Sequence, residues 1–298
     1  MSNRSALLAI FVVSFVFLST NSEAQQGRVL EGRTFQSDTL DREWIYTIYL
    51  PPDYDSSERA YPVYYLLHGL GGNHASWVRA GNANTIADTL IESGEVPPAI
   101  LVWPDGAVRS MWLDSDPETG FGAIETALLE DLIPHIDQEY RTIATRNARM
   151  ISGFSMGGYG ALRMAFRNPE MFSAVSGLSP AMWRTFPQGP PVGDEPPSPA
   201  FGVPFDPAKW EAETPFAYVD SLAAKSETNR MHVLLLTGDH DPFHQITEAT
   251  TDLFLVLRAA DIPAELRIVD GGHTFDVWSQ GLRESMSFFG DVYQRRRR

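Results

Sequence analysis

The stretch ARMISGFSMGGYGALRMAF, residues 148–166, decides how the rest of the chain is read. Its first part, ending at Gly153, has the apolar character of a buried strand. Its last part, GYGALRMAF, reads as a helix that Asn168-Pro169 stops. Between them, Gly153-Phe154-Ser155-Met156-Gly157 fits G-x-S-x-G. Small residues on both sides allow a sharp strand-to-helix turn, and the hydroxyl at its apex projects from the top of the sheet. The helix N-terminus beneath that apex favours developing negative charge. A short Gly/Ser string is a weak signal by itself. Its place between a strand and a helix makes Ser155 a candidate nucleophile.

A serine hydroxyl needs a base, and the base needs a group that fixes its tautomer. Of the seven histidines, His273 stands in DGGHTFDVW (270–278), a glycine-rich loop after the last strand-like run. TGDHDPF (237–243) follows the strand-like run before it and offers Asp239 and Asp241. Spacing alone does not separate these two carboxylates. Either one gives the chain order Ser, Asp, His expected of an α/β-hydrolase. The tetrahedral intermediate of acyl transfer also needs backbone N–H donors. Met156, after the serine, is one candidate. Leu70, in HGLGG (68–72) after the first buried strand-like run, is the other. His68 reads as a structural histidine bracing that loop.

Outward from this core, apolar runs alternate with helical periodicity. REWIYTIYL is an aromatic, β-branched strand leading into Pro51-Pro52, and it could pair antiparallel at a sheet edge. YPVYYLLHG, AILVWP, MFSAVSGLS, MHVLLLTG and AELRIVDG supply further strands. FGAIETALLEDLIPHIDQEY (121–140) and TEATTDLFLVLRAAD have helical spacing. Such alternation predicts a mostly parallel sheet with helices on both faces, in one domain over residues 25–298.

The ends and one interior segment differ from this rhythm. Arg4 precedes the apolar run ALLAIFVVSFVFL, and Ser22-Glu23-Ala24 places small residues where a signal peptidase cuts. Residues 1–24 therefore read as a signal peptide, with a secreted or periplasmic mature chain and no stable membrane insertion. The chain has no cysteine, which excludes disulfides, thiol nucleophiles and thiolate metal sites. Its net charge of −15 argues against nucleic acid as a partner. The final RRRR (295–298) reads as a solvated basic tail. Residues 184–207 hold eight of the 21 prolines, too many for regular structure, and read as an ordered insertion near the site. His240 and His244 have metal-ligand spacing for a helix, but Pro242 between them breaks one. No metal or cofactor is expected.

Together, YTIYLPPDYD, YPVYYLLHGLGG, ETALLEDLIPHIDQEYRT, ISGFSMGGYGALRMAFRNPEMF, TGDHDPF and GGHTFDVW resemble the esterase D-like family of α/β-hydrolases over roughly 42–289. That family includes feruloyl and acetyl-xylan esterases, S-formylglutathione hydrolases, siderophore esterases and mycolyl transferases. The resemblance implies an α/β-hydrolase fold and an ester substrate, small or saccharide-borne. It places the family's carboxylate three residues after Gly238, at Asp241. It carries over Ser155 as nucleophile, His273 as base and Leu70 as an oxyanion donor. Trp112, Tyr159, Trp183 and Trp278 are expected to line an acyl or aryl pocket. Acyl transfer instead of hydrolysis, and a non-catalytic binding protein on the same fold, are the competing expectations.

Overall fold

The computed structural model describes residues 26–118, 120–184, 198–225 and 228–296. Eight strands form one sheet: β1 (Arg28–Ser37), β2 (Arg42–Leu50), β3 (Val63–Leu67), β4 (Ile100–Pro104), β5 (Arg149–Phe154), β6 (Ala174–Leu178), β7 (His232–Gly238) and β8 (Ala264–Val269). Their order is β1-β2-β4-β3-β5-β6-β7-β8. The pairs β1/β2 and β2/β4 are antiparallel, and every other pair is parallel. The α/β-hydrolase architecture expected from the sequence is therefore present.

Burial on both faces explains why the inner strands are continuous apolar runs. Within β3, Tyr65 and Leu67 enter one core while Tyr64 and Leu66 enter the other. The first core is covered by helices Met156–Arg167 and His244–Ala259, the second by Ala83–Glu92 and Phe275–Arg295. The segment read as a helix over 121–140 becomes helical at Ile124 and passes through a π-helical turn at Leu128–Leu132.

Two expectations change. The strand beginning at Arg42 is antiparallel as expected, but it lies one place inside the edge. The edge belongs to β1, whose largely exposed residues give no apolar run to find. Of the basic tail, Arg295 closes the last helix, and Arg296 donates to Asn147 Oδ1 at 3.0 Å and to the Arg230 carbonyl at 2.7 Å. Arg297, Arg298, the signal-peptide reading over 1–24 and most of the proline-rich segment (185–197) lie outside the described residues. The described remainder of that insertion supplies Phe201, which packs on Tyr159 of the helix that follows Ser155, beside Trp210 from just beyond the insertion. Among the described residues, no helix is long and apolar enough to cross a membrane.

Candidate active site

Ser155 stands between β5 and the helix Met156–Arg167 with φ 54° and ψ −119°, a conformation L-residues avoid. Three backbone hydrogen bonds hold it there. Its N–H donates to the Leu178 carbonyl (2.8 Å), and its carbonyl accepts from the N–H groups of Tyr159 (3.0 Å) and Ala181 (2.9 Å). The motif glycines permit the turn by close approach. A Cβ on Gly153 would lie 2.3 Å from the Gly157 backbone, and one on Gly157 would lie 2.3 Å from the Leu67 carbonyl oxygen. Strand β3, strand β5 and the helix thus interlock through backbone contacts with no room for a side chain.

His273 reaches this apex from the loop after β8. Its Nε2 is 2.9 Å from Ser155 Oγ, and its Nδ1 is 2.7 Å from Asp241 Oδ2. An ionised carboxylate only accepts, so Nδ1–H donates to Asp241 and Nε2 is left to accept the serine proton. Asp241 is fixed in turn, its Oδ1 accepting from Phe243 N–H at 2.9 Å. Its side chain is fully buried, whereas the imidazole keeps 14% exposure, enough for a reactant to approach. The edges of Phe243 and Trp278 flank the ring, with centroids 5.2 and 5.0 Å away.

The two aspartates that spacing could not separate have different partners. Asp239 is exposed, pairs with His240 Nδ1 at 2.8 Å and accepts from Gly271 N–H at 3.1 Å. The Gly271 N–H, with smaller help from His240, holds its carboxyl below the usual range. Asp239 therefore anchors the loop that carries His273 and does not touch the imidazole. His240 also gathers with exposed Asp270, while His244 opens the following helix outside that cluster. The four-residue histidine spacing does not become a ligand pair among the described residues.

The HGLGG loop passes directly over the serine. A Cβ on Gly69 would sit 3.2 Å from Ser155 Cβ and 2.5 Å from the Phe154 ring. The next N–H, that of Leu70, has no acceptor among the described residues, and the Leu70 side chain points to solvent at 59% exposure. Met156 N–H, first in its helix, has no intrahelical acceptor either. His68 is buried beneath the loop. Its Nε2 accepts from Gly106 N–H (2.9 Å), which makes Nδ1–H the donor to the Gly69 carbonyl (2.8 Å). Burial holds its pKa below the ordinary value, so the neutral form that satisfies both bonds persists.

Two of the four aromatic expectations, Trp112 and Tyr159, need correction. Trp112 and Tyr159 are both 0% exposed and line no opening. Trp112 donates from Nε1 to the His68 carbonyl, and its ring fills the space that side chains on Gly106 and Gly160 would need. Tyr159 donates to the Glu213 carbonyl and stacks on Trp210. Trp183 also packs on Trp210, and Trp278 stacks on Phe154 behind His273. Trp112 and Tyr159 gained more from burial than from facing solvent. A buried ion network went unread in the sequence. Arg163 pairs with Glu125 and Glu213, and Arg167 also reaches Glu125. The one visible sign was an arginine inside the apolar run GALRMAF.

Comparison with known proteins places this geometry. The family model described as "Putative esterase" matches residues 37–289. An endo-1,4-beta-xylanase/feruloyl esterase of Xylanibacter ruminicola is 35% identical over 47% of this chain and 20% of its own length. An esterase of Mycobacterium tuberculosis is 31% identical over 81% of this chain and 55% of its own. The chain thus spans between a fifth and about half the length of these curated relatives. Among solved structures, a ferulic acid esterase superposes with a TM-score of 0.76 at 26% identity, covering 90% of this chain and 99% of that one. An S-formylglutathione hydrolase from Agrobacterium tumefaciens shares the fold, with a TM-score of 0.70 at 22% identity over 93% and 99% of the two chains. With the family model covering nearly the whole described domain, this chain belongs to the esterase family of α/β-hydrolases.

Proposed function

We propose that this protein is an exported serine carboxylic-ester hydrolase working through an acyl-enzyme. The observation that carries the reading is the hydrogen-bonded row Ser155–His273–Asp241 at the strained turn. As the ester carbonyl is attacked, the Ser155 proton passes to His273 Nε2. Buried Asp241 stabilises the imidazolium and keeps its tautomer. The N–H groups of Leu70 and Met156 receive the oxyanion. Collapse expels the alcohol, which takes the proton from His273. Water, deprotonated by the same nitrogen, then attacks the acyl group, and the proton returns to Ser155. No step needs a metal or cofactor.

The substrate class is a small acyl or aryl ester, with feruloyl or acetyl groups on a carbohydrate as the leading members. The xylanase/feruloyl esterase relative and the ferulic acid esterase neighbour support that choice. Labelling by a fluorophosphonate and turnover of p-nitrophenyl acetate, methyl ferulate and acetylated xylan test it. Wild type should be labelled and turn over at least one ester, and Ser155→Ala should do neither. Equal labelling of both proteins would overturn the mechanism.

A further inference from the structure

At the N-terminal ends of the parallel strands, about 20 Å or the length of β5 from Ser155, lies a cleft of a different character. It has a volume of about 500 Å³ and is lined by Arg59, Ala60, Ile143, Thr145, Asn147, Ala148, Tyr293 and Arg296. Its polar lining is rich in donors. Arg296 spends one nitrogen on Asn147 Oδ1 and another on the Arg230 carbonyl, while its Nε is buried with no partner. Since arginine only donates, Asn147 must present its oxygen to Arg296, which leaves its amide N–H groups free to face the cleft. Arg146 donates to the same Arg230 carbonyl at 2.9 Å, so a second guanidinium stands beside Arg296.

Positive charge is therefore concentrated here on a chain of net charge −15. The acidic groups facing it are Asp53, paired with Arg59, and Glu170, which acts on Arg146. Neighbouring Arg146 feels the crowding: burial first, then Arg296, brings it down to about 10. A bound anion offsets the repulsion between these two guanidinium groups, not the burial.

We infer that this cleft is a second, non-catalytic site that binds a compact oxyanion of the phosphate or sulfate type, held by Arg59, Asn147 and Arg296. The inference gives Arg296 a role that a residue of a solvated tail does not have. It is independent of the ester-hydrolase reading, because no residue of the cleft touches Ser155, His273 or Asp241.

Thermal unfolding and calorimetric titration of the full chain test it, with inorganic phosphate, sulfate and glucose 6-phosphate against chloride at matched ionic strength. Phosphate or sulfate should raise Tm above the chloride value. Arg59→Gln and Asn147→Asp should weaken binding at least tenfold while p-nitrophenyl ester turnover stays within twofold. Arg59 and Asn147 are both exposed, so these variants spare the fold; Arg296→Gln supplies a third, more buried probe. Tighter binding of the sugar phosphate than of free phosphate identifies a carried oxyanion, and equal binding identifies a free one. Phosphate no better than chloride, or variants that bind like wild type, would overturn the inference.

Discussion

Replacing His68 by phenylalanine separates a brace from a base. The ring volume and the contact with Trp112, 5.1 Å between centroids, are largely kept. The two hydrogen bonds are not: Gly106 N–H is left buried without a partner, while the Gly69 carbonyl keeps only its bond from Gly72 N–H at 3.0 Å. One orphaned donor costs about 1–3 kcal/mol, and that is the expected loss. Urea unfolding measures it as a lower midpoint at constant slope. Activity should fall by roughly 10–100-fold, because the Gly69–Leu70 loop loses its anchor beneath the proposed oxyanion donor. Fluorophosphonate labelling should persist, since His273 is untouched. The pH dependence adds a second check. The folded-state pKa of His68 lies below its unfolded value, so the brace contributes fully above pH ~6.5. Its contribution declines as pH falls below that value, because the unfolded chain then takes up the proton first. The gap between wild type and His68→Phe should therefore narrow on acidification, by at most about 1.4 kcal/mol per pH unit, with the other histidines cancelling. A variant as stable as wild type to within ~0.5 kcal/mol would refute the bracing role. Complete loss of labelling would point to direct participation in proton transfer.

Other perturbations probe neighbouring parts of the site. Gly157→Ala would force the Leu67 carbonyl away from a 2.3 Å contact; displacing the turn by about 1 Å should cost on the order of 100-fold in kcat/KM, read on p-nitrophenyl acetate. Asp241→Asn should lower kcat by about 10³–10⁴-fold through the wrong imidazole tautomer, whereas Asp239→Asn should retain most of the activity. Glu125→Gln should destabilise by about 3 kcal/mol in urea unfolding, the low end for a broken buried pair, because Glu213 still faces Arg163.

What could be read in the sequence follows from what periodicity and local chemistry encode. Strands β3 to β7 are buried on both faces and show as short apolar segments; β8, at the other edge, instead alternates Ala264, Leu266 and Ile268 with Glu265 and Arg267. The strand-turn-helix around Ser155 is set within a few residues of itself. The split between Asp239 and Asp241 is different. They sit two residues apart in one loop, and only the fold decides which one is carried under His273. Strand β1 escaped notice because an exposed edge imposes no apolar period. The last helix, Phe275–Arg295, escaped for another reason. It contains Gly281 and Gly290, residues of low helix propensity, yet Gly281 admits Leu178 and Gly290 admits Pro97 at closest approach. Trp112 and Tyr159 were misread because a large aromatic close in sequence to the reactive elements suggests a binding platform. Burial offered more.

Backbone strain explains why Trp112 in particular is buried. Five non-glycine residues with positive φ cluster after consecutive strands at the reactive end of the sheet: Ala107 (61°), Met111 (54°), Trp112 (58°), Ser155 (54°) and Ser179 (42°). Each such conformation costs about 1–3 kcal/mol and persists only where its surroundings dictate it. Here the surroundings are continuous. Ser155 bonds to Leu178 and Ala181 on either side of Ser179, and Gly71 N–H reaches Val108 within the other strained loop. Trp112 ties these loops together. Its indole N–H takes the His68 carbonyl, its ring occupies the gaps at Gly106 and Gly160, and His68 in turn holds Gly69 over the serine. The burial of one large ring, worth up to about 3 kcal/mol for a big apolar side chain, is thus applied where the backbone is least relaxed. Trp112 shapes the site from behind, by fixing the peptide groups around Ser155.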